Sequence, residues 1–490
     1  MSTAPEKSTP ASLLNDVWNY PFMEAIINRR SRRFSMGATM PGGGLAYKSS
    51  EKPMPLTTLE EAILVNAAVG FSGYPLADLP YTSSPGKIGD GGGNVMASFN
   101  GRTGASADAV HGTALFLLND EGTFLLKRPQ DMGLTPDETD ELHKLTHDRQ
   151  LEEIYKRMRL KISDKRTTIA REVPHVFSFN VWSTNLPGTT YFVPASDLTA
   201  MYLNLLLQAF DEETAVFMVD ERNGYAPAGV AKFGKSRGGR LYDDLQAKVP
   251  RVGTIQAIET IAAEFMMAEQ AFMGHNMMLA EQAMGLGGWS HFATARPSDW
   301  FEALGFKMGE QRLAQSIGTG LGRIFFMKLF GGIGGVTPLV NSLDVGFRTS
   351  VLNLLGQNIL QTAIPLGFEH GGEVILKPFC PPYYKNMEEA VLAFLDYKMG
   401  NIKGGKDGTA WKDTKGIEAQ IPKFSDQCVA ATIAYADYVY KRYGQFSAYF
   451  GPFRMSLAHQ AHHLDLSFYD KFYNPGAYTH TQADHMKHWH

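Results

Sequence analysis

TIQAIETIAAEFMMAEQAFMGHNMMLAEQAMGLGG, Thr254–Gly288, is the longest periodic stretch of the sequence. Apolar side chains recur along it at helical spacing, and they include Ile258, Ile261, Phe265, Phe272 and Leu279. Glycine ends a helix readily, so the pattern predicts one long helix from Thr254 to Met284 that stops at the GLGG run. Its methionines are typical of an adaptable core or a subunit interface rather than of a cofactor site: Met266, Met267, Met273, Met277 and Met278.

Helices and strands are both predicted around this segment, in no strict strand–helix–strand alternation. Helices are expected over Asn15–Arg33, from Thr57 or Thr58 to Gly70, within Thr135–Lys165 and in NMEEAVLAFLDYKMG. Strands are expected in the hairpin GTALFLLNDEGTFLLK, in VPHVFSFNVWSTNLPGTTYFVP, on both sides of Asn223–Gly224 and in GGEVILKPF. This mixture indicates the α+β class.

Composition limits the function classes. A chain of 490 residues, 44% hydrophobic and 20% charged, can bury a sizeable core, as two or three domains or as one large elaborated domain. The net charge of -4 argues against a general nucleic-acid binder, which would carry a basic face. Two cysteines cannot form a disulfide framework, and residues 1–19 lack the apolar core of a signal peptide. We therefore expect a cytoplasmic protein that binds neither nucleic acid nor membrane.

A dense cluster of positive charge lies in NRRSRRF, Asn28–Phe34, where four arginines surround Ser31. Guanidinium groups bind phosphate oxygens in pairs, and a serine hydroxyl adds a further donor. Charge clusters at helix ends are also common as solvated surface. From the residues alone, both an anion site and a solvated face remain open.

Three motifs together resemble the nitroreductase-like FMN flavoproteins. NRRSRRF resembles their N-terminal signature Arg-Arg-Ser-x-Arg. GRTGASADAVHGTALFLL resembles the PSAGGLHPTELY stretch of the branch that includes azoline- and thiazoline-oxidising dehydrogenases, with Ser106, Ala107, His111 and Thr113 aligned. NMMLAEQAMGLGG is similar to their central helix and the Gly-Leu-Gly turn beside the flavin. The three motifs occur in the family's order.

The resemblance implies a nitroreductase-like α+β fold, with a mixed central sheet wrapped by helices. After the lead-in 1–19, the FMN-binding domain would span 20–400, with a helical insertion at 134–170, and a histidine- and aromatic-rich extension would occupy 401–490. It also implies an FMN-dependent oxidoreductase that transfers hydride through flavin N5 to or from an organic small molecule, with NAD(P)H as a possible electron donor. The long helix would form the core of a homodimer.

The resemblance further assigns site residues. Those expected at the cofactor are Arg29, Arg30, Ser31, Arg33, Arg102, Ser106, Gly287, Gly288, Trp289 and Lys385. Those expected at the substrate are His111, Asn180 and Trp182. The sequence departs from the family at Asp108 and Ala109, which replace two glycines, and a carboxylate there would crowd or repel the flavin's carbonyl edge. Because hydride transfer at N5 requires no side-chain nucleophile, no catalytic side chain is assigned.

Seven of the fourteen histidines lie near the C-terminus: His459, His462, His463, His480, His485, His488 and His490. On a helix His459 and His463 would share one face and could chelate a metal, with Asp465 or Asp470 as carboxylate ligands. We expect instead that these histidines form hydrogen bonds within an aromatic lid or dimer arm, and we predict no metal site. Two alternatives remain: a flavin-fold binding protein without redox activity, and a metal-dependent enzyme that uses these histidines.

Overall fold

A computed structural model describes residues 8–81, 94–173, 175–294, 296–312, 346–347, 361–400 and 409–490. Its helices are α1 (Pro10–Trp18), α2 (Phe22–Asn28), α3 (Thr58–Val69), α4 (Pro136–His147), α5 (Leu151–Met158), α6 (Leu198–Ala209), α7 (Ile255–Met284), α8 (Pro297–Leu304), α9 (Met387–Gly400), α10 (Thr414–Glu418), α11 (Asp426–Tyr443), α12 (Leu466–Phe472) and α13 (His480–His488). Its strands are β1 (Thr39–Met40), β2 (Tyr47–Lys48), β3 (Phe71–Gly73), β4 (Gly101–Arg102), β5 (Thr113–Asn119), β6 (Gly122–Leu126), β7 (Arg159–Ser163), β8 (Thr189–Asp197), β9 (Phe217–Asp220), β10 (Ala226–Pro227), β11 (Val252–Thr254), β12 (Gly287–Phe292), β13 (Phe306–Arg312), β14 (Gly346–Phe347), β15 (Gln361–His370), β16 (Glu373–Leu376), β17 (Phe453–Arg454) and β18 (Leu457–His462).

The main sheet has the order β12-β18-β8-β5-β6-β7, with the short β17 also paired to β8. Its neighbouring strands are antiparallel, and β5 and β6 form the hairpin that the sequence predicts. Strands β5, β6 and β8 are buried along their whole length, because helices or loops cover both faces of the sheet. The predicted α+β class is confirmed.

Helix α7 packs against β18, β8 and β12 and against α3, α6 and α2, and the sequence predicts its bounds to within one residue. The Thr254 hydroxyl caps its start by accepting a hydrogen bond from the Ala257 N–H. Gly285 ends it in the left-handed conformation, with φ of 91°, which glycine adopts without strain. Met266, Met273 and Met277 are buried in the core, as expected for an adaptable filler.

The last ninety residues do not form an appendage. Strand β18 lies between β12 and β8 in the main sheet, so the boundary expected at residue 401 does not separate the C-terminal segment from the sheet. The insertion expected at 134–170 does contain helices, α4 and α5. Its end forms β7, which extends the same sheet beyond β6.

Two local predictions are wrong. The helix expected over Asn15–Arg33 is two helices, because Pro21 disfavours helical conformation at the residue before it, and the chain leaves α2 with Arg29 extended at φ −55° and ψ 126°. The aromatic segment that begins at Val173 becomes a strand only from Thr189, after a run of turns.

Cys380 and Cys428 are buried and free. Among the described residues, no helix is both long and apolar enough to span a bilayer.

Candidate functional site

The arginine segment runs in an extended conformation from the end of α2 along the edge formed by α7 and β12. In extended chain, successive side chains point to opposite sides. Arg32 therefore points into the protein, and Arg33 points toward the aromatic side chains of β12 and of the segment before β8. The local conformation thus separates two arginines that are adjacent in sequence.

Arg33 lies in a polar and aromatic pocket with two of the three predicted substrate residues, Asn180 and Trp182. Its guanidinium carbon is 3.9 Å from the ring centre of Trp289 and 5.1 Å from that of Trp182. Its Nη2 donates hydrogen bonds of 2.9 Å to Asn180 Oδ1 and 2.7 Å to Ser183 Oγ. The structure thus brings together Arg33, Trp289, Trp182 and Asn180, which the sequence analysis assigned from three separate segments.

Arg32 has a structural role, which the family signature does not indicate because Arg32 stands at its variable position. The side chain is 4% exposed, and burial lowers the pKa of its guanidinium. It donates to the carbonyls of Ala477 and Asn28 and, at 3.1 Å, to Gln282 Oε1 on α7. Arg32 therefore joins the arginine segment to α7 and to the C-terminal region.

The other members of the signature are more accessible. Arg29 is half-buried, with Nη1 3.8 Å from Met278 Sδ, while Arg30 is exposed and donates only to nearby backbone carbonyls. Ser31 is exposed. In the part of the chain that the structure describes, none of the four guanidinium groups forms an ion pair with a carboxylate. Glu281 interacts electrostatically with Arg32 without a direct ion pair, so the carboxylate-free positive charge is that of Arg29, Arg30 and Arg33.

Gly287 and Gly288, which are expected at the cofactor, are buried in the structure. Both lie in β12, the edge strand of the main sheet, which pairs with β18. A Cβ at Gly287 would meet Leu464, and a Cβ at Gly288 would meet the carboxyl group of Glu281. These glycines make room for neighbouring side chains within the chain.

A separate group of predicted site residues packs beside the middle of α7, away from the arginine cluster: Arg102, Ser106 and His111. Arg102 is buried and donates to the carbonyls of Val69 and Thr113, and the Ser106 hydroxyl donates to Glu269. His111 is buried, which lowers its pKa to about 3. Since Glu269 precedes Gln282 by thirteen residues, the two groups are separated by about 20 Å along the helix axis.

Asp108 and Lys385 contact neither the arginine cluster nor Arg102, Ser106 and His111 through the side-chain hydrogen bonds of the structure. The carboxylate of Asp108 accepts hydrogen bonds from Asn204 Nδ2 at 2.9 Å and from Gln208 Nε2 at 3.0 Å, both on α6. It is held by these two side chains. Lys385 is exposed just before α9, and its backbone N–H donates to Glu389.

A second cluster of ionisable side chains, which the sequence analysis did not assemble, lies just beyond the C-terminal end of β18. It consists of Glu60 on α3, His463 just after β18, His485 on α13 and the final residue His490. One ligand atom from each lies within 4.8 Å of the others, and Glu60, His463 and His485 are buried. The only sequence signal was the density of histidines near the C-terminus, since nothing links Glu60 to them.

The alternative in which His459 and His463 chelate a metal together from one helical face does not fit the structure. His459 lies in a strand, not a helix, and its Nε2 is 2.6 Å from Glu281 Oε1 while its Nδ1 is 2.9 Å from Ser290 Oγ. Residues four apart on a strand are about 13 Å apart, too far to share a metal ion. His459 therefore belongs to a buried hydrogen-bonded chain between α7 and β12.

Comparison with other proteins assigns no family. No family profile matches the sequence, and no curated protein matches it significantly.

Proposed function

We propose that this chain is an FMN-dependent oxidoreductase whose arginine segment holds the phosphate of the cofactor. The observation that carries the proposal is the group of Arg29, Arg30 and Arg33, which has no carboxylate partner among the described residues. An uncompensated cationic cluster costs electrostatic energy unless an anion occupies it. Phosphate is an anion to which guanidinium groups donate pairs of parallel hydrogen bonds.

Two hydrogen-bond donors of Arg33 and Trp289 that lack an acceptor among the described residues fit a ligand rich in oxygen atoms. Arg33 Nε and Trp289 Nε1 are buried, and neither has a hydrogen-bond partner within the described residues. Buried donors are ordinarily satisfied. The arginines would anchor the phosphate, and their positive charge would favour reduction of a nearby flavin. FMN, when bound, would supply the hydride chemistry, with NAD(P)H or an organic substrate as the second reactant.

A homodimer completes this proposal. Ser106 and Arg102 lie about 20 Å along α7 from the arginine cluster, so one chain does not gather both groups. On α7, Ile261, Phe272 and Leu279 fall on one helical face, spaced by eleven and seven residues, and none is fully buried. Two α7 helices packed antiparallel through this face would bring the middle of each helix nearer to the partner's arginine cluster and cover apolar surface.

The cofactor is tested on the untreated purified protein. We expect a flavin absorption spectrum, release of FMN on denaturation, and bleaching of that spectrum by NAD(P)H or by the substrate under anaerobic conditions. A colourless protein that also fails to bind added FMN in equilibrium dialysis would refute the proposal. Binding of FMN without any reduction would favour the alternative of a flavin-fold binding protein.

The phosphate anchor is tested with a matched pair of surface arginines. Arg29→Ala should weaken FMN binding about ten- to a hundredfold, because a charge-assisted contact contributes roughly 1.5–3 kcal/mol. Arg157→Ala removes one positive charge from α5, where the guanidinium pairs with Glu141 and Glu153, and should leave FMN affinity unchanged. Equal affinities for the two variants would place the phosphate elsewhere.

A further inference from the structure

We propose that Glu60, His463, His485 and His490 form a binding site for a divalent transition-metal ion, with Zn²⁺ as the preferred occupant. The proposal rests on the geometry of these side chains and is independent of the flavin proposal. Glu60 Oε1 lies 3.1 Å from His463 Nε2, 3.0 Å from His485 Nε2 and 3.4 Å from His490 Nε2. His490 Nε2 is 3.1 Å from His463 Nε2.

These separations match the spacing of ligands around one ion. Imidazole nitrogens and carboxylate oxygens bind zinc at about 2.0–2.2 Å, so neighbouring ligands of a tetrahedral ion are roughly 3.4 Å apart. Four donor atoms from three parts of the chain converge on one point at this spacing. Three imidazoles and one carboxylate, with no thiolate, are ligands that suit zinc and its neighbours in the first transition row.

The hydrogen bonds behind two of the rings fix which nitrogen faces the centre. His463 Nδ1 is 3.0 Å from the Met54 carbonyl oxygen, and His485 Nδ1 is 2.7 Å from the Met284 carbonyl oxygen. A carbonyl only accepts, so each Nδ1 carries a proton and each neutral ring turns the bare lone pair of Nε2 toward Glu60. Orientation of a ligating histidine by a backbone carbonyl is typical of metal sites.

Without a cation, the carboxylate oxygen of Glu60 faces histidine Nε2 lone pairs, so that hydrogen-bond acceptors lie against one another with no proton between them. Glu60 Oε1 faces the three nitrogens, while its Oε2 accepts from the backbone N–H and hydroxyl of Thr57 in the capping box of α3. His485 Nε2 is buried, and its contact with Glu60 Oε1 does not have the angles of a hydrogen bond. Protonating the rings instead would place imidazolium groups within about 3 Å of one another in a dry interior, with a single carboxylate to compensate them. One metal ion satisfies all four atoms.

The site would have a structural role. Four protein ligands complete a tetrahedral shell, and a complete shell is typical of structural rather than catalytic zinc. His485 and His490 belong to the last helix and the last residue, whereas Glu60 and His463 belong to α3 and the end of β18. A bound ion would therefore fasten α13 and the residues after it to α3 and β18.

The test uses the full chain without an added histidine tag, and zinc as the probe. We expect about one equivalent of bound metal in the purified protein, and a d–d absorption typical of tetrahedral coordination after replacement by Co²⁺. Removal of the metal with a chelator should lower the melting temperature of the wild type, because an ion that binds only the folded state stabilises it. Re-addition of zinc should restore the melting temperature.

Two variants of the tail separate this site from adventitious binding. His490→Ala removes the one ligand of the four that is exposed, which puts folding least at risk, and should weaken zinc binding about a hundredfold or more. His488→Ala is the matched control, since His488 contacts Ser8 and Asp16 outside the cluster, and should leave the affinity unchanged. Absence of stoichiometric metal, failure to bind micromolar zinc, or equal affinity in both variants would each overturn the proposal.

Discussion

Replacement of Gly288 by alanine tests whether this glycine makes room for Glu281. A Cβ at position 288 would lie less than 3.0 Å from all three atoms of the Glu281 carboxyl group, a separation that real side chains do not adopt. The carboxyl group cannot move freely, because Glu281 is 3% exposed and its Oε1 is 2.6 Å from His459 Nε2. Overpacking costs about 1–3 kcal/mol, and losing a buried charged hydrogen bond costs about 1.5–3 kcal/mol. We expect a loss of about 3 kcal/mol.

A double-mutant cycle provides the decisive measurement, with free energies of unfolding obtained from urea denaturation. In the Glu281→Ala background the new methyl group has space, so Gly288→Ala should cost less than about 1 kcal/mol, and the coupling should be about 2 kcal/mol. Gly44→Ala is the control, because no atom lies within 4 Å of a Cβ at that position. Additivity within about 0.5 kcal/mol would refute the packing argument.

Three further predictions concern single side chains. Arg32→Ala should lower the free energy of unfolding by about 2–4 kcal/mol, because Arg32 is buried and donates to three partners. Arg30 is exposed, so Arg30→Ala should change the free energy of unfolding by less than about 0.5 kcal/mol. Urea denaturation of the two variants measures the difference. Burial lowers the pKa of His111 to about 3, so between pH 3 and 6.5 the unfolded chain binds a proton that the folded chain does not, and stability falls on acidification. Relative to His111→Gln, the free energy of unfolding of the wild type should fall by about 2 kcal/mol from pH 7 to pH 5. Parallel pH profiles of the two proteins would contradict this. Phe272→Glu should turn the expected dimer into monomers in sedimentation experiments, while exposed Leu245→Glu should not; a wild type already monomeric at micromolar concentration would contradict the dimer.

The sequence by itself determined the elements whose signals are local. Helix α7 shows helical periodicity over thirty residues and ends at glycine, and the β5–β6 hairpin shows two apolar runs around a turn, so both could be predicted without the rest of the chain. The chemistry of the arginine segment was also local, because its charges lie within five consecutive residues. The segment's conformation was not, since α2 ends at Asn28 and the non-helical chain after it sends the side chains of Arg32 and Arg33 in different directions.

The tertiary structure alone decided which side chains meet. Only the packing of α7 against β12 shows that the space beside Gly288 is filled by Glu281. Only the position of β18 in the main sheet shows that His459 lies in a strand, and so does not share a helical face with His463. Glu60 and His463 are 403 positions apart, and His463 joins Glu60 only because β18, α3 and the C-terminal helix pack at one place. A contact between residues so distant in sequence leaves no periodicity, because it is set by burial of apolar surfaces on the elements that carry them.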